Sequence, residues 1–445
     1  MDTSMNQRSF IEKLFHLQEN GTTVRREVLA GLTTFVSMAY ILFVNPQVLG
    51  DAGMNKGAVF TATALSAILG SVLMALLANY PIAIAPGLGD NAFFTYSVVL
   101  AMGIPWQTAM AGVFISSILF LILSLVKLRE IVIDAIPHDL KLAMAAGIGI
   151  FIAFVGFQGG GLITGSKSTL VAMGSLTVPT TWLTIFGLVV TAGLMAKKVP
   201  GSIFIGMVLT TILGLVTKLI PLPSHIVSSI PSLKPTFGVG VAHLGDISQP
   251  QLWSVVLIFL LVAFFDTAGT LIGLAAQAGF MKDNKMPRIG GALMADSISM
   301  LGGAVMGTTP TAAYVESSAG IAIGGRTGLT SMVVGILFAL AMFFSPLLTV
   351  VTSNVTAPVL IIVGILMAQS MKEIDWSKFE IAMPAFLTIV GMPLTYNISY
   401  GIAFGFLAYP LTMLAAGRRK EINPIMYILF VVFIILLYTI NILPK

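Results

Sequence analysis

The chain has 445 residues, of which 57% are hydrophobic and only 9% are charged. Ordinary globular proteins carry roughly 25% charged residues, so this composition excludes a soluble fold, and the apolar content excludes intrinsic disorder. It predicts an all-α polytopic membrane protein. Cysteine is absent and the four His residues are scattered, so we expect no metal site and no cofactor. The net charge of +5 comes without a long basic run, so no nucleic acid partner is expected.

Apolar stretches long enough to cross a bilayer recur along the whole chain. A spanning helix needs about 20 apolar residues to cross about 30 Å of hydrocarbon. After a polar segment at 1–27, fourteen such stretches are predicted, at 28–49, 58–78, 81–101, 106–126, 138–157, 180–196, 202–220, 251–278, 288–305, 307–325, 328–350, 355–371, 380–396 and 398–416. A fifteenth apolar stretch, at 424–442, either spans the bilayer or lies in its interface.

The basic residues indicate how these segments are oriented. With the N-terminus inside, 18 of the 23 Lys and Arg residues fall on the inner side and five fall outside. Cytoplasmic loops of membrane proteins carry an excess of Lys and Arg. Residues 1–27 also lack the short apolar core and cleavage site of a signal peptide. We therefore predict a multi-pass protein of the cell membrane (plasma or bacterial inner membrane) with a cytoplasmic N-terminus.

The two halves of the chain are weakly similar to each other at an offset near 226 residues, with 36–54 running parallel to 262–280. A connection at 221–250, rich in Pro, Ser and His, separates the halves. Seven spans in each half is an odd number, so the second half must insert upside down. Inverted repeats of this kind are typical of secondary transporters.

The third and tenth segments contain residues that break helices. Pro and Gly cost helix hydrogen bonds that lipid cannot replace. Discontinuous helices at corresponding places in two repeats point to a binding site at the bilayer midplane, where freed backbone N–H groups face the ligand. The alternative is a simple kink in a continuous helix. The residues concerned are Pro81, Pro86, Gly87, Gly89, Gly307, Pro310, Gly320, Gly324 and Gly325.

Four acidic residues lie inside the apolar segments: Asp90, Asp266, Asp296 and Glu316. An ionised carboxylate at the centre of a spanning helix costs about 2.5–3.5 kcal/mol on insertion scales, so each needs a partner or a function. Glu316 and Asp266 are the stronger functional candidates. Their structural alternative is a hydrogen bond to a neighbouring helix.

The roles of Asp90 and Asp296 stay open at this point. Asp90 lies in the Gly-rich break beside Asn91, where it is expected to cap the half-helix that starts there. The amide of Asn91 can both donate and accept, which suits the edge of a heterocycle. Asp296 either faces the cavity or has a structural partner, for which the candidates are Arg288, Ser297 and Ser299.

Four ordered segments resemble the signature segments of the azaguanine-type (AzgA-like) purine permeases of the nucleobase–ascorbate transporter superfamily. They are MAYILFVNP at 38–46, APGLGDNAFFTYSVV at 85–99, FFDTAGTLIG at 264–273 and GTTPTAAYVESSAGI at 307–321. The resemblance covers nearly the whole chain. It implies a seven-plus-seven inverted-repeat transporter fold with fourteen spans, in which the third and tenth segments carry short extended pieces before half-helices.

The resemblance also implies a core domain and a gate domain. The core domain would consist of 28–126 and 251–350, which hold segments 1–4 and 8–11. The gate domain would consist of 127–220 and 351–445, which hold segments 5–7, segments 12–14 and the C-terminal hydrophobic stretch. Residues 1–27 would then be a cytoplasmic N-terminal segment, and 221–250 an extracytoplasmic connection.

For function, the resemblance implies uptake of free purine nucleobases such as hypoxanthine, guanine or adenine, usually with protons. The core would move against the gate in an elevator-like or rocking motion. Apart from the resemblance, a homodimer is a candidate assembly. Asp266 and Glu316 are the candidates for carrying the coupled proton. Carried over by motif, the substrate-binding residues and their neighbours would be Asn91, Asp266, Glu316, Phe264, Thr308 and Thr309.

Three other functional classes are weighed against this one. A passive nucleobase facilitator or channel needs no buried acid. An anion exchanger of sulfate-permease type shares the general fold but expects a positive site. A membrane-bound receptor needs an output domain, for which the chain has no candidate segment. The chain has no Walker A sequence and no hydrolase motif, so neither an ATP-driven pump nor an enzyme is expected.

Overall fold

The structure of the chain is a computed structural model that describes residues 10–126, 135–248, 250–281 and 286–441. The side chains of a few helical residues also lie outside the described part, among them those of Phe264 and Asp266. Within the described ranges, nine helices are long and apolar enough to cross a membrane. Two of the predicted spans are broken by extended pieces of chain, as described below.

The first half of the chain contains the N-terminal helices and the first broken span. A short helix at the N-terminus precedes the first span. The helices are α1 (Phe10–Phe15), α2 (Val24–Met38), α3 (Ile41–Asp51), α4 (Lys56–Leu73), α5 (Leu88–Ala92), α6 (Trp106–Leu125), α7 (His138–Gly159), α8 (Pro179–Ala196) and α9 (Ser202–Val216). Two π-helical stretches, Met74–Ala78 and Phe93–Ala101, continue α4 and α5, and the strands are β1 (Ile84–Pro86), β2 (Ile163–Ser166) and β3 (Leu170–Met173).

The second half repeats this order of elements after the connection. One strand, β4 (Thr311–Ala313), interrupts its helices. They are α10 (Val239–Ala242), α11 (Pro250–Gln277), α12 (Ile289–Met306), α13 (Ser317–Ala322), α14 (Gly328–Ala341), α15 (Ser353–Ala368), α16 (Phe379–Thr395), α17 (Ile398–Ala415) and α18 (Pro424–Asn441). Short 3₁₀ turns occupy Leu244–Ser248, Met342–Thr349, Gln369–Glu373 and Arg419–Glu421.

The predicted repeat is confirmed by the first span of each half. α2 and α3 together cover the 28 residues Val24–Asp51, and α11 covers the 28 residues Pro250–Gln277 at an offset of 226. Each half then continues with a helix, a strand, a short helix and four further spanning segments. The fold is therefore the predicted seven-plus-seven inverted repeat. The first span begins at Val24, four residues before its predicted start.

The two breaks meet each other. β1 and β4 form a two-stranded antiparallel sheet in which Ile84 is opposite Ala313 and Pro86 is opposite Thr311. All six strand residues are buried. The strands pair with each other, and the hydroxyl of Ser71 bonds the N–H and C=O of Ile84 over 3.2 and 3.3 Å, so backbone groups of the break find partners outside a helix. The prediction that the third and tenth segments are discontinuous is therefore confirmed.

The helices pack in two groups. α7, α8 and α9 pack against α15, α16 and α17. The remaining spans pack around the strand pair, with α2 and α4 against α14, α4 and α6 against α12, and α6 against α11. The strand pair therefore lies inside the second group, and the first group covers one side of it through contacts of α7 with α5 and α11.

Two features of the periphery were not settled by the sequence. β2 and β3 form an exposed hairpin after α7, in a stretch for which no strands are predicted. The C-terminal apolar stretch is a continuous helix, α18, that packs against α17 and α11. The rings of Phe406 and Phe433 stack with their centroids 4.8 Å apart. That α18 either spans the bilayer or lies in its interface stays a prediction.

Candidate functional site

The strand pair fixes where the two half-helices start. The backbone N–H of Gly87 donates to the carbonyl oxygen of Pro310 over 2.9 Å, and the N–H of Tyr314 donates to the carbonyl oxygen of Ala83 over 2.9 Å. The N–H of Ala83 in turn donates to the hydroxyl of Ser317 over 3.0 Å. α5 and α13 therefore start from opposite ends of one hydrogen-bonded unit, which fixes the position of one half-helix relative to the other.

Asn91 lies one turn into the first half-helix and is fully buried. Its side-chain oxygen accepts a hydrogen bond from the hydroxyl of Thr309. Its amide nitrogen is buried and has no hydrogen-bond partner among the described residues. A buried amide without a partner costs free energy. Asn91 therefore presents an uncommitted donor in the region where the two breaks meet, and Thr309 fixes the direction of that donor.

Thr308 belongs to a polar cluster beside this pair. The amide nitrogen of Asn45 donates to the hydroxyls of Thr63 and Thr308, over 2.8 and 3.0 Å. Asn45 lies in α3, and its side-chain oxygen is buried without a partner in the described part of the chain. Asn45 is not among the predicted site residues, although an Asn in an apolar span commonly hydrogen-bonds to a neighbouring helix.

Glu316 is the residue immediately before α13, and its carboxylate does not cap that helix. Instead, one carboxylate oxygen accepts a hydrogen bond of 2.5 Å from the hydroxyl of Tyr40. Tyr40 is only 1% exposed, whereas Glu316 is half-buried. Tyr40 is thus a second residue that sequence analysis missed. Its position in the chain, 276 residues before Glu316, gives no sign of the contact.

Asp90 and Asp296 are both fully buried. The expectation that Asp90 caps the half-helix is wrong, because α5 begins after Gly87 and Asp90 is its third residue. Two of the partners predicted for Asp296 have other hydrogen bonds. Ser297 donates to the carbonyl oxygen of Leu293 over 2.7 Å, and Ser299 donates to that of Ser66 over 3.4 Å.

Phe264 and Asp266 lie in α11, and their side chains are outside the described part of the structure. The helix α11 itself packs against β4, α5 and α13. Phe259, one turn before Phe264, makes an edge-to-face contact with Phe93, with ring centroids 4.8 Å apart. α11 therefore passes the strand pair, while the roles of Phe264 and Asp266 stay predictions.

A buried acid at the far end of α13 is a third residue that the sequence did not single out. Glu27 is fully buried in the first turn of α2. Its carboxylate accepts from the backbone N–H groups of Arg326, Thr327 and Thr330, over 2.8, 3.3 and 3.2 Å, and from the Thr330 hydroxyl over 2.6 Å. A carboxylate at the N-terminus of α14 also interacts favourably with the helix dipole.

The guanidinium of Arg326 stabilises the opposite end of the preceding half-helix. It donates to the carbonyl oxygens of Ile321 and Gly325 over 2.8 and 2.7 Å. Ile321 lies in the last turn of α13 and Gly325 follows the helix, so the cation lies at its negative end. Glu27 and Arg326 together hold the connection between α13 and α14, and with it the half-helix that begins at Glu316.

Comparison with known proteins identifies the family. A family model described as "Permease family", the xanthine/uracil permeases, matches residues 25–404. The chain belongs to this permease family. The family that the four motifs predicted is thereby confirmed. The permease is a multi-pass membrane protein and is not an enzyme.

Individual relatives cover almost the whole permease. It is 56% identical over 434 residues to the guanine/hypoxanthine permease PbuG of Bacillus subtilis (strain 168), covering 96% of this chain and 99% of PbuG. It is 41% identical to the adenine permease AdeP of Escherichia coli (strain K12), covering 97% of each.

The solved structures support the fold of the permease. The transmembrane domain of the cyanobacterium bicarbonate transporter BicA superposes with a TM-score of 0.62, covering 88% of this chain and 97% of that domain. At 16% sequence identity this similarity concerns the fold alone. It agrees with the inverted repeat that the element order of the permease displays.

Proposed function

We propose that the permease imports free purine nucleobases (hypoxanthine, guanine and/or adenine) as a secondary active transporter coupled to protons. The names of its relatives support purines as the class of substrate. The observation on which the proposal rests is the meeting of the two broken spans, one bearing Asn91 and the other bearing Glu316, at one strand pair. Broken spans paired in this way are where secondary transporters bind their substrates.

The hydrogen-bonding groups of the site match one edge of a purine. Asn91 offers a buried donor. Glu316 has one oxygen bonded to Tyr40 and a second oxygen that can accept from a ring N–H. The adjacent N–H and C=O groups of a 6-oxopurine complement such a pair, so hypoxanthine and guanine fit it better than adenine, which lacks that carbonyl. Asp266, Phe264, Thr308 and Thr309 complete the proposed site.

The two groups of helices support a division into moving domains. We infer that the helices around the strand pair form the core domain and that α7, α8, α9, α15, α16 and α17 form the gate domain. Movement of one against the other, elevator-like or rocking, would expose the site to each side in turn. Asp266 and Glu316 are the proposed carriers of the coupled proton, and the N-terminus is proposed to be cytoplasmic in the plasma or inner membrane. A homodimer is compatible with this arrangement.

The alternative functions make different predictions. An anion exchanger of sulfate-permease type would place its substrate beside the carboxylate of Glu316, which repels anions. A passive facilitator cannot accumulate its substrate. Radiolabelled hypoxanthine uptake into cells that lack their own purine permeases, with and without a protonophore, distinguishes these cases. Accumulation above the external concentration that the protonophore abolishes supports the proposal, and uptake that only equilibrates overturns active transport.

Replacing Asn91 by Ala is expected to raise the KM for hypoxanthine about tenfold or more. The change removes the donor that we assign to the substrate, and a substrate carbonyl left without a partner costs about 1–3 kcal/mol. The matched control is Asn354→Ala in the other helix group, where the amide nitrogen donates to the carbonyl oxygen of Thr180 over 3.3 Å. If both variants keep the KM of the unmodified permease, Asn91 does not bind substrate.

A further inference from the structure

The phenol of Tyr40 makes a contact that the proposed binding site does not by itself explain. Tyr40 is almost completely buried, and its hydroxyl lies 2.5 Å from one carboxylate oxygen of Glu316. By contrast, the hydroxyl of Tyr314, two residues before Glu316, donates to the backbone carbonyl of Pro86. Tyr40 therefore acts directly on the acidic side chain of the site, whereas Tyr314 serves the strand pair.

The helical hydrogen-bond pattern tightens at Tyr40, although Ala39 and Tyr40 keep right-handed helical backbone angles. α2 ends at Met38 and α3 begins at Ile41, so the first span is interrupted there. The N–H of Leu42 donates to the carbonyl oxygen of Ala39, three residues back, over 3.2 Å, which is a 3₁₀ pattern. No Pro or Gly lies at the interruption. A tightened turn inside a long helix often marks a functional position, and this one carries the side chain that reaches Glu316.

Close packing of α2 against α13 fixes the position of Tyr40 relative to Glu316. A Cβ built on Gly320 in α13 would lie 2.6 Å from the carbonyl oxygen of Ala30 and 2.2 Å from the hydroxyl of Thr34, so the backbones of α13 and α2 are in direct contact. Glu27 of α2 also joins the two elements, because its carboxylate accepts a hydrogen bond from the backbone N–H of Arg326, just after α13. α2 and the half-helix after Glu316 therefore behave as one packed unit.

We propose that Tyr40 is the positioning residue of the permease, holding one oxygen of Glu316 so that the other faces the ring N–H of the substrate. The inference rests on the proposed function, in which Glu316 accepts that hydrogen bond. A Glu side chain has three rotatable bonds, and fixing it before the substrate arrives removes an entropic cost from binding.

The test is Tyr40→Phe, which removes the hydroxyl and keeps the ring. We expect the Kd for hypoxanthine, measured with the purified permease in detergent, to rise about tenfold, while the maximal uptake rate stays within twofold. The matched control is Tyr96→Phe. It removes a phenol that donates a 3.0 Å hydrogen bond to the carboxylate of Asp51, which is a different acid from Glu316. We expect its Kd to stay within twofold.

A second ligand separates positioning from a general structural effect. 1-Methylhypoxanthine lacks the ring N–H that is proposed to donate to Glu316. Tyr40→Phe should therefore weaken the binding of 1-methylhypoxanthine far less than the binding of hypoxanthine. Equal weakening of both ligands would show a structural role only, and an unchanged Kd for hypoxanthine would overturn the inference outright. If the unmodified permease bound no hypoxanthine, the proposed function itself would fail, which is a different outcome from either of these.

Discussion

Glu316→Gln is expected to reduce hypoxanthine uptake at low substrate concentration about a hundredfold. The substitution keeps the shape of the side chain but leaves it one acceptor instead of two. If the amide oxygen takes the hydrogen bond from Tyr40, the amide nitrogen faces the ring N–H of the substrate, and two donors oppose each other. The loss of a hydrogen bond to a charged group costs about 1.5–3 kcal/mol, and the opposed donors add to it.

The measurement is the initial rate of uptake, normalised to the amount of permease in the membrane. Glu373→Gln, a change of the same type in the exposed 3₁₀ turn after α15, is the control and should leave uptake unchanged. Glu316→Asp should recover part of the loss, because the carboxylate is kept and only its reach is shortened. Uptake by Glu316→Gln within threefold of the unmodified permease would remove Glu316 from the site.

Glu27→Ala is expected to destabilise the permease by about 3 kcal/mol or more. The carboxylate of Glu27 accepts three backbone N–H groups and one hydroxyl in a fully buried position. Each buried donor left without an acceptor costs about 1–3 kcal/mol. Because these donors lie in the connection after α13 and in the first turn of α14, the loss should also loosen the half-helix that begins at Glu316.

Thermal unfolding of the purified protein in detergent measures this effect. The control is Glu19→Ala, which removes a carboxylate that is 63% exposed and pairs with His16 over 3.4 Å. A surface pair of this kind contributes about 0–1 kcal/mol, so the control should unfold close to the temperature of the unmodified permease. If Glu27→Ala unfolded at the same temperature as the control, the buried carboxylate would not hold α13 and α14 together.

The sequence predicts the architecture well because membrane insertion leaves a strong local pattern. Each span has to be apolar over its own length, and the two spans broken by extended pieces carry Pro and Gly at the break. The offset of 226 residues and the discontinuities at Pro86 and Pro310 could therefore be predicted. The extended pieces pair with each other because lipid offers their backbone groups no partners.

The interior of the site could be predicted only in part. Asn91, Thr309 and Glu316 lie in the broken segments, where the pattern draws attention to them. Tyr40 and Asn45 lie in the first span, and their roles depend on contacts across 276 and 263 residues of chain. Glu27 follows two Arg residues at the edge of a polar segment, so it looks solvated in the sequence although it is fully buried.

We propose that the permease selects purine nucleobases at the site formed by the two broken spans. Competition of unlabelled purines and pyrimidines against radiolabelled hypoxanthine uptake tests it most directly. We predict strong competition by hypoxanthine and guanine, weaker competition by adenine, uracil and cytosine, and none by sulfate or bicarbonate. Competition by uracil as strong as that by guanine, or inhibition by the anions alone, would contradict the account.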